Sequence, residues 1–370
     1  MKYYFDQSLG FLRYLYRKKS WPRVVLGAGV TLVAAAAMGG ASIIVEVLLG
    51  IIQADSDSNQ QLVSIVGYLP IFVLVIGFML IAGGSWAGFT DWRSETSRRY
   101  GIAIELRGLE NSLDIPLEGS VAFKGINQKQ TVLVDVRNQL DHDALLPPEP
   151  AIRRVTSLLP TALQSAIAGK KGSDVEVVFG GLAAVPLTFL AGILVDDETR
   201  VSRVDWDRSI DNWRTLDEID DGERFEETIH RNGYDKERFV LCVSGSYPVD
   251  VAAVSALHLN AKIIELKLPS SGTTNHWSDD KQRALSIQFL QTIIEHSDYS
   301  EIHLHMAAPS SMVFLFGQRY DKRNLPPISV YQYERSSTCK YPWAVRMPSA
   351  GGRKAEVIWA LSVSSEAPVK

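Results

Sequence analysis

The sequence predicts two membrane-spanning helices followed by a cytoplasmic, mostly parallel α/β protein. Three observations predict this. Val24 to Val45 is 22 residues without a charge, and Ser58 to Thr90 is a second uncharged run; crossing the hydrocarbon core takes about 20 apolar residues. Lys and Arg flank the pair of runs and are absent between them. From Asp91 onward, strand-like apolar runs alternate with helical patterns, which favours a parallel sheet.

The charges orient the hairpin. Lys2, Arg13, Arg17, Lys18, Lys19 and Arg23 precede the first run, and Arg93, Arg98, Arg99 and Arg107 follow the second. Gln53 to Gln61, between the runs, holds Asp55 and Asp57. Positive residues stay inside, so both termini are expected in the cytoplasm and the tip outside. A buried hairpin of a soluble protein would not require these flanks. A cleaved signal peptide is not expected, because the run is long and a second span follows.

The first span is rich in small residues: Gly27, Gly29, Ala34 to Ala37, Gly39, Gly40 and Ala41. Small residues four apart let helix backbones approach in lipid. The second span carries Gly77, Gly83, Gly84, Gly88 and Pro70, and Pro70 is expected to kink it. Glu46 is the one ionisable side chain within the first span. An intramembrane carboxylate points either to a bond with a neighbouring helix or to the lining of an oligomeric pore.

Composition is consistent with a cytoplasmic bulk. Two cysteines, Cys242 and Cys339, in 370 residues do not make a secreted disulfide framework. A net charge of −4 lacks the basic face of a bulk nucleic-acid binder, so no DNA or RNA duplex is expected as partner.

In chain order, Tyr100 to Leu109 and Thr131 to Val136 read as strands within a connector spanning 91–173. Leu145 to Pro150, with three prolines, reads as a linker, and Ala151 to Ala168 as a helix interrupted at Pro160. Asp174 to Phe179 is predicted as a strand, with Gly180-Gly181 after it and a helix over Val185 to Val195. Arg238 to Val243 is the next strand, followed by Ser244-Gly245-Ser246 and a helix over Val249 to Leu259. Ala261 to Leu268 is a strand and Lys281 to His296 an amphipathic helix. Glu301 to Met306 is a strand; Pro309-Ser310-Ser311 and a short helix over Met312 to Gln318 follow. Ile328 to Tyr333 and Trp343 to Met347 are the last predicted strands.

Three of these strand-to-helix junctions are built from small residues: Gly180-Gly181, Ser244-Gly245-Ser246 and Pro309-Ser310-Ser311. Amides at a helix start favour anions, phosphates above all, although tight βα turns use the same residues. Neither GxxxxGK[ST] nor GxGxxG occurs, so the usual NTPase and dinucleotide signatures are missing. Glu265 and Lys267 share a strand face, and with Asp250 they imitate the spacing of a metal-dependent nuclease. His303 and His305 also share a face, but no third metal ligand is evident nearby. Trp206, Trp213, Tyr331, Tyr333 and Tyr341 suit either base stacking or packing.

The run His303-Leu-His305-Met-Ala-Ala-Pro309-Ser-Ser-Met-Val-Phe-Leu-Phe-Gly317-Gln resembles the strand–Pro–helix–Gly segment of SAVED domains. As in that family, Ile328-Ser-Val-Tyr331-Gln-Tyr333-Glu and Tyr341 to Met347 follow. Phe179 to Gly192, with Asp205-Trp206-Asp207-Arg208 and Trp213, is similar to the family's first half. The resemblance covers about Asp174 to Met347, and the SAVED domain is expected over 174–370. It implies two fused CARF-like, Rossmann-like halves that bind a cyclic oligonucleotide. With the hairpin at 24–90, behind a cytoplasmic segment at 1–23, the chain resembles a membrane effector of CBASS antiphage defence.

By that resemblance, a cyclic di- or trinucleotide is the activating ligand, and no other cofactor or metal is expected. The effector would self-assemble and damage the bacterial inner membrane. The implied ligand contacts are Gly180, Gly181, Ser244, Gly245, Ser246, Pro309, Ser310 and Ser311, with Tyr333 stacking on a base and Arg208 pairing charge. No Lys/Arg pair dedicated to the phosphates stands out. The rival readings are a membrane-tethered nuclease using Glu265, Lys267 and Asp250, a sensor of an outside signal, and a non-catalytic membrane scaffold. The outer loop is too short to form a ligand-binding domain of its own.

Overall fold

The computed structural model describes residues 21–38, 46, 68–108, 115–137, 148–197, 199–270, 272, 274–350 and 352–360. The chain divides into two compact units, Met1–Arg98 and Arg99–Lys370.

In the first unit, α1 (Trp21–Ala37) packs antiparallel to α2 (Leu69–Arg98). Among the described residues, one helix, Leu69–Arg93, is long and apolar enough to cross a membrane, and α1 is a shorter apolar helix. The two backbones meet at glycine. A Cβ on Gly29 would lie 2.8 Å from the Gly77 carbonyl oxygen, and one on Gly84 would lie 2.9 Å from the Leu26 amide nitrogen. Gly27 and Gly83, by contrast, face open space. Thus Gly29, Gly77 and Gly84 allow the close approach, as small residues do in lipid.

Pro70 does not kink this helix. It lies in the first turn of α2, where a missing N–H removes no intrahelical bond. Glu46 is exposed. Gly39, Gly40 and the outer loop lie outside the described residues.

The second unit holds two sheets. The first is ordered β2-β1-β3-β4-β5 and the second β12-β11-β10-β9-β7-β8-β6. The first comprises β1 (Tyr100–Arg107), β2 (Gln128–Asp135), β3 (Val175–Leu182), β4 (Val201–Asp207) and β5 (Asn212–Thr215). The second comprises β6 (Glu226–Arg231), β7 (Arg238–Ser244), β8 (Lys262–Lys267), β9 (Glu301–Ala307), β10 (Ile328–Gln332), β11 (Trp343–Arg346) and β12 (Glu356–Trp359). The strands β2-β1-β3-β4 and β10-β9-β7-β8 are parallel; β5, β6, β11 and β12 pair antiparallel at the edges.

The helices are α3 (Glu149–Ile167), α4 (Val185–Val195), α5 (Val251–Leu257), α6 (Asp279–Glu295) and α7 (Ser310–Arg319). Helix α3 runs on through Pro160, where the sequence suggested an interruption. Its buried stripe of Ile152, Val155, Leu159 and Leu163 holds the helix on the core, and Pro160 lies beside that stripe. The stretch 91–173 does more than connect, because β1 and β2 pair into the sheet of β3. Strand β4 completes the parallel set of the first sheet, and edge strands β5, β6 and β12 are too short or too polar to read from periodicity.

The stretch from β3 through α4 repeats as β9 through α7 at a constant offset of 125 positions. Leu182 and Ala307 end their strands, Val185 and Ser310 start their helices, and Phe189/Gly192 match Phe314/Gly317. The bond from the Gly108 amide to the Leu182 carbonyl, 2.7 Å, has its twin from Gly245 to Ala307, 2.9 Å. In each half the chain visits one neighbour strand and then crosses to the other side. This puts a topological switch point between β1 and β3, and another between β7 and β9.

Helices α4 and α7 cross with backbone on backbone. A Cβ on Gly192 would sit 2.3 Å from the Phe314 carbonyl oxygen, and one on Gly317 2.2 Å from that of Phe189. Helix α4 is apolar all round and buried along nearly its whole length, as a helix covered on every side must be. Phe179 and Phe314 stack across the halves at 3.8 Å.

Candidate functional site

Ligands of open parallel sheets sit beyond the carboxyl ends of the strands at a switch point. Side chains of each half reach the helix start of the other and bring these ends together. The Val185 amide at the start of α4 donates to Gln332 Oε1 on β10, 3.1 Å. The Ser311 amide and hydroxyl at the start of α7 donate to Asp205 Oδ2 on β4, 3.1 and 2.8 Å. The seam therefore gathers the ends of β3, β4, β9 and β10.

Asp205 occupies the position where a phosphate was expected. Its carboxylate is buried and also accepts the Trp206 amide at 3.0 Å. The positive end of α7 favours an acceptor at this place. Burial pushes the Asp205 carboxyl up and the neighbouring His276 imidazole down. Gln282 extends the network: its Nε2 donates to Ser311 Oγ at 2.8 Å and to the His276 carbonyl at 2.9 Å.

The sequence-predicted contacts are placed as follows. Gly180 and Gly181 lie inside β3, which runs on to Leu182, and form no loop. Their missing side chains are a packing requirement: a Cβ on Gly180 would lie 2.9–3.0 Å from Leu117, Trp213 and Val204, and one on Gly181 3.0–3.2 Å from Phe179 and Leu106. Ser244 is buried at the end of β7; its hydroxyl donates to Glu265 Oε1, 2.6 Å, and accepts the Val249 amide, 2.9 Å. The Gly245 and Ser246 amides both donate to the Ala307 carbonyl, at 2.9 and 3.0 Å, so they bridge the second switch point. Pro309 precedes α7, Ser310 Oγ is buried without a partner, and Ser311 is held by Asp205. Arg208 is exposed in the turn after β4, and Tyr333 is 43% exposed beyond β10, edge-on to Tyr341 at 5.5 Å.

The carboxylates of the nuclease reading carry structural bonds. Glu265 is held by Ser244 and by His230 Nε2 at 2.7 Å, and Asp250 caps α5 by accepting the Ala253 amide. His305 pairs with His258 at 2.9 Å, Nε2 to Nε2, and His303 Nδ1 with the Tyr331 hydroxyl at 2.8 Å. Burial pushes His258 down to about 3 and His303 to about 4, so this cluster is neutral. Among the described residues, no group of three or more His, Cys, Asp or Glu side chains could hold a metal ion.

Sequence reasoning missed Asp205 and Gln332 as caps and Arg107 as a strand-end cation. Arg107 ends β1 at the first switch point, in register with Leu182. Its Nε donates to Glu105 Oε1 at 2.5 Å, and Glu105 Oε2 accepts the Leu117 amide at 3.0 Å. Arg137 sits nearby with Asp135, which its guanidinium holds below the usual carboxylate range. The repeat of Phe189-x-x-Gly192 in Phe314-x-x-Gly317 was the available signal for aligning the halves. Away from the strand ends, a cavity of about 140 Å³ lies at the finish of α7. There Gln318 donates to the Asp196 and Thr199 carbonyls.

Residues 159–347 match the family of the SMODS-associated and fused to various effectors sensor domain, SAVED. The chain belongs to this family. Residues 4–152 match the SAVED-fused 2TM effector domain, so a two-span effector domain precedes the sensor and the chain is a membrane protein. The sheet of β1, β2 and β3 draws on both matched stretches.

Among solved structures, the chain is similar to an Acinetobacter baumannii Cap4 SAVED/CARF-domain containing receptor with the cyclic trinucleotide 2′3′3′-cAAA. The TM-score is 0.46 and the identity 11%, over 77% of this chain and 60% of that one. A Moraxella osloensis Cap4 receptor gives 0.42 and 12%, over 81% and 63%. The chain thus spans about three fifths of the length of these receptors. No curated protein matches it.

Proposed function

We propose that this chain is an antiphage effector of the CBASS type, in which a cyclic oligonucleotide bound by the SAVED domain triggers membrane disruption. The observation that carries the reading is the joining of a SAVED sensor to a two-span effector in one chain. The seam supports it: two repeated halves present paired switch points side by side, an arrangement suited to a cyclic ligand made of repeated nucleotides. Binding favours head-to-tail stacking of protomers, a heterologous contact that can extend. Stacking gathers the hairpins, whose packed glycines at positions 29, 77 and 84 leave the other faces free for further helices. The ligand drives assembly only as far as it prefers the assembled state. The protein acts without catalysis, in the bacterial inner membrane, with both termini cytoplasmic.

The test is dye release from liposomes carrying the purified full chain, titrated with a panel of cyclic di- and trinucleotides that includes 2′3′3′-cAAA. Release by a subset of the panel, together with a ligand-dependent rise in mass, is expected. Leakage at the same rate with and without every member overturns ligand gating. Assembly without leakage leaves a scaffold.

A further inference from the structure

The geometry points to Arg107 as the residue that takes a phosphodiester of the ligand at the first switch point. This inference rests on the cyclic-oligonucleotide reading above. The helix starts cannot supply the neutralising charge, because Asp205 already caps α7 and Gln332 caps α4. The second switch point cannot either, since the Ala307 carbonyl takes the Gly245 and Ser246 amides. The position equivalent to Arg107 in that half is Ser244, which is buried and bonded to Glu265 and to the Val249 amide.

Arg107 differs in having an unused edge. Its Nε is spent on Glu105, and among the described residues neither terminal amino group donates a hydrogen bond. Glu105, 1% exposed, is itself fixed by the Leu117 amide. It is a positioning residue that holds the guanidinium at the strand end. The chain just past Arg107 lies against Ala183, two residues before α4: a Cβ on Gly108 would be 2.7 Å from that of Ala183. The Arg107 side chain, 18% exposed, shares the strand face of Glu105, and its free edge lies at the carboxyl end of β1, beside Leu182 at the first switch point. Its two terminal nitrogens match the two non-bridging oxygens of a phosphodiester, which a planar fork binds bidentately and an ammonium cannot. Arg137, by contrast, already has Asp135 on its Nε and Nη2.

The experiment measures binding of 2′3′3′-cAAA and the rest of the panel to the detergent-solubilised full chain by titration calorimetry. It compares wild type with Arg107→Gln and Arg107→Lys. Gln is expected to weaken binding about ten- to a hundredfold, the range of a charged hydrogen bond. Lys keeps a cation beside Glu105, so it preserves the fold if Gln does not. It is expected to bind at least fivefold more weakly than wild type. Substituted chains that bind like wild type overturn the role of Arg107 and leave the ligand reading standing. A wild type that binds no member of the panel overturns both.

Discussion

Gly317→Ala tests the helix crossing that joins the halves. One methyl at this position would sit 2.2 Å from the Phe189 carbonyl oxygen, where ordinary contact begins at 3.4 Å. The obstacle is backbone, and no rotamer change relieves it. The helices must part by about 1 Å, in an interior packed as densely as an organic crystal. Overpacking of this kind costs about 1–3 kcal/mol, and the upper end applies because both partners are main chain. At roughly 2 °C per kcal/mol for a unit of this size, the full chain should melt about 6 °C lower. Gly192→Ala meets the Phe314 carbonyl at 2.3 Å and should behave alike. The double variant is the sharper measurement. One separation of the helices relieves both clashes, so the combined loss should fall short of the sum of the singles, as contacting sites do. Melting is followed by tryptophan fluorescence in detergent; Trp213 lies in the unit concerned. Single variants that melt within 1 °C of wild type, or strictly additive losses, would refute the crossing as drawn.

Other consequences are independent of it. Ser244→Ala leaves Glu265 Oε1 and the Val249 amide without these bonds, while Glu265 Oε2 keeps His230, and should cost about 2–3 kcal/mol, read by the same melt. His258 and His303 have folded pKa values depressed to about 3 and 4. Below pH 6.5 the unfolded chain binds protons that the folded chain does not, so stability is complete above pH 6.5 and falls as pH drops toward 4. Each histidine contributes about 1.4 kcal/mol per pH unit in that window; a melting temperature flat from pH 7 to 5 would contradict this. A maleimide should label Cys339 in the folded chain, whereas Cys242, buried and with its thiol pushed up, should react only after denaturation.

Much of the fold was legible because βα junctions announce themselves. Val185–Val195 was bounded to the residue, since Pro186 at its start and an unbroken apolar run leave little choice. The strand-to-loop boundary at Gly180 was misplaced for a physical reason. Glycine reads as loop when its neighbours are unknown, but here Trp213 and Leu117 fold over the strand and exclude any side chain. Pro70 and Pro160 were misjudged in the same way: whether a proline kinks or breaks a helix depends on where the helix starts and on what its buried stripe holds.

The site was the hardest part to read, because its decisive groups act across 106 and 147 positions of sequence, from Asp205 to Ser311 and from Gln332 to Val185. Local spacing carries no trace of such pairs. A helix start looks equally ready for phosphate whether or not the chain supplies its own acceptor, and here it supplies one in each half. The sites vacant for an anion are consequently not those with the most suitable backbone. They are the ones where a side chain has a donor left over after the internal bonds are counted. Among the described residues, Arg107 meets that condition at the first switch point, whereas Ser244, its counterpart in the second, does not. The duplicated halves therefore present chemically unlike crevices to one ligand. An asymmetric cyclic oligonucleotide would have a preferred orientation across the seam, and exchanging Arg107 and Ser244 between the halves should weaken that preference rather than reverse it, because the carboxylate beside Ser244 is Glu265 on the neighbouring strand, already bonded to His230, and the position two residues earlier on β7 is Cys242.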